Sequence, residues 1–72
     1  MVTSEDQGYI QVDVAEAARQ LELAAHDVRV AASCIGLGDL ETAHTCAITA
    51  RASTDAAENI LRAALGATAA RS

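Results

Sequence analysis

The sequence predicts an all-α fold, an antiparallel two-helix hairpin of about residues 13–35 and 39–65 that associates as a dimeric four-helix bundle. Three observations carry this reading. Small and branched aliphatic residues recur every seven positions along two long stretches, no proline interrupts either of them, and two of the four glycines fall together between them. In Ile35-Gly36-Leu37-Gly38-Asp39, Gly36 is free to take the left-handed conformation that ends a helix. Leu37 can then fold back onto the last turn, and Asp39 can cap a second helix.

Taken in order, residues 1–8 read as a flexible leader closed by Gly8, residues 9–66 as the hairpin domain and residues 67–72 as a flexible tail. Tyr9-Ile10-Gln11-Val12-Asp13-Val14 alternates apolar and polar side chains and predicts a short extended lead-in. The same residues also fit a helix, and Asp13-Val14-Ala15-Glu16 reads as a capping box, so the first helix is placed from Asp13. From there to Ile35 the period is helical. Val14, Leu21, Val28 and Ile35 share one heptad position and Ala17, Ala24 and Ala31 another, which together make the expected seam. A further column, Ala18, Ala25 and Ala32, flanks it on one side, and Leu23, Val30 and Leu37 widen the apolar surface on the other.

The second helix is expected from Asp39 to about Leu65, with Gly66 as its stop. Its seam pairs Leu40, Ala47, Thr54 and Leu61 with Ala43, Ala50, Ala57 and Ala64. One seam position is thus alanine in every heptad, which draws helices toward the lower end of the usual spacing of roughly 8–10 Å. Charged pairs four apart in the stabilising order, Glu22 with His26 and Glu58 with Arg62, belong to the solvated faces, as does Arg51 with Asp55 and Glu58.

Composition turns this architecture toward association. A chain of 72 residues buries only about 60% of the surface it exposes when unfolded. Much of the 51% apolar content is alanine and Tyr9 is the lone aromatic, so little area is available at roughly 25 cal/mol per Å². Two such rods need a second copy or another protein to hold them. The expected association surface is Leu23, Val30, Leu37, Cys46 and Ile60, which flank the seams.

The function expected is therefore a non-enzymatic protein–protein interaction module, a regulatory, adaptor or inhibitor subunit acting as a homodimer or on a protein partner. Ten acidic residues against five arginines, with no lysine and a net charge of −5, disfavour a phosphate backbone. Neither a secretory apolar region nor a membrane run is present in the polar, acidic start Met-Val-Thr-Ser-Glu-Asp-Gln-Gly, and the expected compartment is the cytoplasm of a bacterium or the host of a phage. No catalytic residues, cofactor, metal or small-molecule substrate are expected: there is no Ser/His/Asp frame, no phosphate loop and no pair of carboxylates in an apolar pocket. Cys34, Cys46, His26 and His44 are the only soft ligands, and folding about residues 37–38 keeps Cys34 and Cys46 apart along the axis while His44 and Cys46 point to nearly opposite sides.

Several short stretches resemble known families. Asp13-Val14-Ala15-Glu16-Ala17-Ala18-Arg19-Gln20-Leu21 resembles the first helix of excisionase-type helix-turn-helix regulators, and a strand at residues 9–14 before two helices is similar to ribbon–helix–helix repressors. Those resemblances imply the alternative function, a small DNA-binding regulator. Glu22-Leu23-Ala24-Ala25 lacks the glycine that breaks the chain in the first family, and Gln11 and Asp13 lack the basic groups of the second. His-Asp-Val-Arg at 26–29 and Ala43-His44-Thr45 resemble phosphoacceptor stretches of dimeric histidine kinases and histidine phosphotransfer domains, without the proline, lysine and glycine that accompany them. The acidic, alanine-rich hairpin as a whole is similar in outline to small helical proteins of type VII secretion, with Gly36-Leu37-Gly38 where those carry Trp-x-Gly.

Overall fold

A computed structural model describes the backbone of residues 2–71 and the side chains of residues 14–67. Two helices, α1 (Val2–Gly36) and α2 (Leu40–Arg71), pack side by side as an antiparallel hairpin. The body measures 53 × 22 × 12 Å. Its length is that of a straight helix of α1's 35 residues at about 1.5 Å per residue. The radius of gyration is 16.4 Å, against about 11 Å for a globule of this many residues. The molecule is one layer thick and two helices wide, so each described side chain that misses the helix–helix seam faces outward.

The extended lead-in expected at 9–14 is helical, with α1 starting at Val2 in place of Asp13. A lone strand would leave its backbone groups without a ladder partner, whereas a helix satisfies them within the segment. Likewise Gly66 does not stop α2, which runs on to Arg71. A glycine costs a helix interior only about 1 kcal/mol, less than the bonds of the turns beyond it return. The leader at 1–8 and the tail at 67–72 lie largely outside the residues whose side chains are described, and their backbone from Val2 and up to Arg71 continues the two helices.

The connection is three residues long. Asp39 donates its N–H to Cys34 O at 2.8 Å and Gly38 donates to Ile35 O at 3.0 Å, the two nested bonds of a Schellman ending. The left-handed residue is Gly38, with φ of 80°, and not Gly36, which is the last residue of α1. Asp39 accounts for the shift, because it closes α1 and opens α2 at once. Its Oδ1 accepts the Thr42 N–H at 3.1 Å, and its carbonyl accepts the first bond of α2 from Ala43. Only the residue just before such a cap can be the left-handed one. Leu37 does not fold back, and is 84% exposed.

The core is alanine alone among the described residues: Ala17, Ala24 and Ala31 from α1, and Ala43, Ala50 and Ala57 from α2. These stand 20, 13 and 6 residues before Leu37 and 6, 13 and 20 after it, so the hairpin brings them to matching levels as three Ala–Ala layers. Between the layers sit half-buried residues three positions further along each chain, Gln20, Asp27 and Cys34 on α1 and Cys46, Ser53 and Ile60 on α2.

The seam therefore differs from expectation in its second column. Val14, Leu21, Val28 and Ile35, placed inside by the heptad pattern, are 43–61% exposed, and Leu40 and Leu61 are exposed too. Ala–Ala layers bring the backbones close, and between close backbones a serine or cysteine fits where leucine opposite leucine does not. The narrow or polar-tipped column turns inward and the bulky one turns out. Gln20 is accommodated because its amide donates to Glu16 Oε2 at 2.8 Å, and no buried side-chain polar atom lacks a partner among the described residues.

Candidate functional site

One broad face of the hairpin collects what the seam rejects. In an antiparallel pair, columns at equivalent heptad positions of the two helices lie on the same side. Val14, Leu21, Val28 and Ile35 on α1 thus share a side with Leu40, Ala47, Thr54 and Leu61 on α2, all of them exposed. Beyond the first column on α1 lies Ala18, Ala25 and Ala32, also exposed. Read together, Val14, Ala18, Leu21, Ala25, Val28, Ala32 and Ile35 alternate steps of four and three residues with no charge among them. That is the spacing of a helix-packing seam. α1 carries two such seams, one closed by α2 and one open.

The area left open is large. The chain exposes 5446 Å², where a compact monomer of 7.4 kDa exposes about 4,200 Å². The difference, about 1,200 Å², exceeds the roughly 800 Å² that each partner contributes to an ordinary protein interface.

The five residues expected to form the association surface lie on the opposite side of the hairpin from the open seam. Leu23, Val30 and Leu37 run along the other flank of α1, Leu23 and Leu37 exposed and Val30 half-buried, while Cys46 and Ile60 are half-buried at the inner seam of α2. The open seam was visible in the sequence as the 3–4 alternation of Ala18, Ala25 and Ala32 with the large aliphatics. Only the choice of inner column decided that it stays open.

Polar chemistry around the hairpin is local. Arg19 clamps Glu16 with Nε at 3.0 Å and Nη2 at 2.5 Å, and Arg62 grips Glu58 in the same bidentate way. These bonds lower both carboxyl pKa values and raise both guanidinium values. The Arg19–Glu16 pair, three residues apart, was not singled out in the sequence although its spacing permits it. His26 pairs with Asp27 (Nδ1–Oδ1 3.6 Å) and not with Glu22. Arg51 makes no ion pair among the described residues, and neither do Glu22 and Arg29. Three threonines of α2 bond back one turn, Thr45 to Glu41 O, Thr49 to Thr45 O and Thr54 to Ala50 O, which hides their hydroxyls within the helix.

Cys34 and Cys46 are free thiols. By the alanine register Cys46 stands level with residue 28, six residues from Cys34, or about 9 Å along the axis at 1.5 Å per residue, beyond disulfide reach. Burial, followed by the neighbouring Asp39 and Cys46, pushes the Cys34 thiol up, away from the reactive thiolate. Among the described residues no three of His, Cys, Asp and Glu gather where they could hold a metal ion, and no helix is long and apolar enough to cross a membrane. α1 runs unbroken through Glu22, and residues 9–14 belong to it, so neither the turn nor the ribbon of the DNA-binding families is formed there. No protein-family model matches this chain, and comparison with curated proteins and with solved structures finds no significant similarity.

Proposed function

We propose that this protein is a non-enzymatic protein–protein interaction module, a helical hairpin that self-associates as a dimeric four-helix bundle and serves as a regulatory, adaptor or inhibitor subunit. The observation that carries the reading is the inversion of the core: alanine inside, and Val14, Leu21, Val28, Ile35, Leu40 and Leu61 outside. The six alanines buried among the described residues offset little chain entropy, at roughly 25 cal/mol per Å² against about 1–2 kcal/mol per ordered residue. A further hydrophobic term becomes available only when the outer face meets a second surface.

The acidic surface keeps such a protein apart from nucleic acid and in solution between encounters. With no cavity of ligand size expected between alanine-packed helices, its work is done by its faces. Sedimentation equilibrium combined with circular dichroism tests this directly. Dimers at micromolar concentration, with helix content falling on dilution, are the expected result. A fully helical, heat-resistant monomer at the same concentration overturns it.

A further inference from the structure

We propose that the open seam of α1 pairs with the same seam of a second copy, antiparallel, about a two-fold axis through Ala25. The inference rests on the self-association proposed above and names the face, the direction and the register.

The first argument is self-complementarity. Ala18 and Ala32 stand seven residues either side of Ala25, so a two-fold axis there sets Ala18 against Ala32 of the partner subunit and Ala25 against its own copy. The same operation sets Leu21 against Val28 of the partner subunit and Val14 against Ile35 of the partner subunit. Alanine layers then alternate with aliphatic ones, half a residue apart in register. The hairpin uses the same scheme internally, with Ala–Ala layers centred on Leu37 and the intervening column half a residue earlier. A seam that meets a copy of itself needs alanine opposite alanine, and this one supplies it three times.

The second argument is charge. On the outer edge of the open seam the next column carries two charged residues among those described, Glu22 and Arg29, of opposite sign and without an ion pair among the described residues. The two-fold axis brings Glu22 beside Arg29 of the partner subunit, and Arg29 beside Glu22 of the partner subunit. A parallel pairing of the same seams turns this column to opposite sides of the interface in the two copies, so neither attraction forms. The charges therefore choose the antiparallel direction.

The third argument is geometry and area. On α1 the inner and open seams point about 100° apart, given about 100° of turn per residue. A two-fold axis perpendicular to the two copies of α1 leaves both copies of α2 on one side, closing a four-helix bundle. Leu40, Ala47, Thr54 and Leu61 then face the centre. The outstanding surface of about 1,200 Å² per chain suffices for a standard interface.

The test places a cysteine on the axis in the Cys34→Ser, Cys46→Ser protein. Ala25 is exposed in the hairpin, so Ala25→Cys leaves the monomer fold alone. Under mild oxidation with oxidised glutathione, Ala25→Cys is expected to form a covalent dimer. Ala18→Cys and Ala32→Cys should each stay monomeric in denaturing gels, because each lies seven residues, about 10 Å, from the axis. An equimolar mixture of those two should cross-link to each other. Efficient homodimer cross-linking by Ala18→Cys and Ala32→Cys separately means a parallel pairing and overturns the proposal. A protein that sediments as a dimer while Ala25→Cys stays reduced associates through another face, which overturns the proposal and leaves self-association standing. A monomer by sedimentation overturns both.

Charge exchange supplies a second measurement. Glu22→Arg and Arg29→Glu each turn two attractions into two repulsions and should weaken homodimers several-fold at low salt, while their mixture should form the heterodimer at wild-type strength or better. Two variants that weaken nothing, or a mixture no tighter than either alone, contradict the assigned register.

Discussion

Leu21→Ala separates what the outer face does for the monomer from what it does for the assembly. Deleting three carbons from a fully buried leucine forfeits about 2.4 kcal/mol, at roughly 0.8 kcal/mol per carbon. Leu21 is 43% exposed in the hairpin, so about 1 kcal/mol of that remains to be gained on association, and about 1.4 kcal/mol already supports the helix pair. Each dimer contains two copies. The substitution should therefore weaken dimerisation by about 2 kcal/mol, roughly 30-fold in Kd, beyond its effect on the hairpin itself. Sedimentation equilibrium over a hundredfold range of concentration reads the Kd, and circular dichroism confirms that the variant is still helical where it is measured. Ile48→Ala is the matched control. Ile48 is 54% exposed but projects from the side of α2 away from α1, so its truncation should leave Kd within about twofold of wild type. Equal effects at Leu21 and Ile48, or an unchanged Kd for a folded Leu21→Ala, would refute the reasoning.

Three further outcomes are expected. Gly38→Ala should destabilise by about 1–2 kcal/mol because its φ of 80° disfavours a side chain, although nothing lies within 4 Å of the added Cβ. Gly36→Ala and Gly66→Ala, helical and equally open, should instead stabilise by about 0.5–1 kcal/mol, all three read from chemical denaturation at one protein concentration. Hydrogen bonds from Thr42 hold the Asp39 carboxyl below its ordinary value of 3.8, so its contribution is complete above that pH and is lost as the pH falls through the lowered value. Asp39→Ala should accordingly lower the melting temperature at neutral pH and flatten its decline as the pH falls below the ordinary value of 3.8, whereas Asp39→Asn keeps most of the cap. A random-sequence DNA duplex should show no mobility shift at low salt, where a DNA-binding protein of any sequence preference retains nonspecific affinity.

Much of the fold was legible because the residues that fold it are repetitive. Alanine every seventh residue names the line of closest approach on each helix, and Ala17, Ala24, Ala31, Ala43, Ala50 and Ala57 are the residues the structure buries. The bend, with Asp39 as a cap, followed from two glycines beside an acidic residue. Between those glycines the sequence is ambiguous, since either has the freedom to turn left-handed. The decision falls to a bonding pattern, Asp39 N–H to Cys34 O, that exists only once both helices are in place. The residues at 9–14 misled for a related reason. Alternation over six positions fits a strand locally, and a strand is worth forming only beside another strand.

By itself, then, the order of residues determined two helices, one bend, an acidic surface and an alanine line along each rod. It also contained both candidate second columns on α1, Val14-Leu21-Val28-Ile35 and Gln20-Asp27-Cys34, at equal angular distance from the alanines, with nothing in periodicity to rank them. Tertiary structure made the choice through volume. Once alanine layers set the backbones close, the narrow or polar-tipped column is the one that fits between them, and the aliphatic one is left facing outward, where the proposed second copy would cover it.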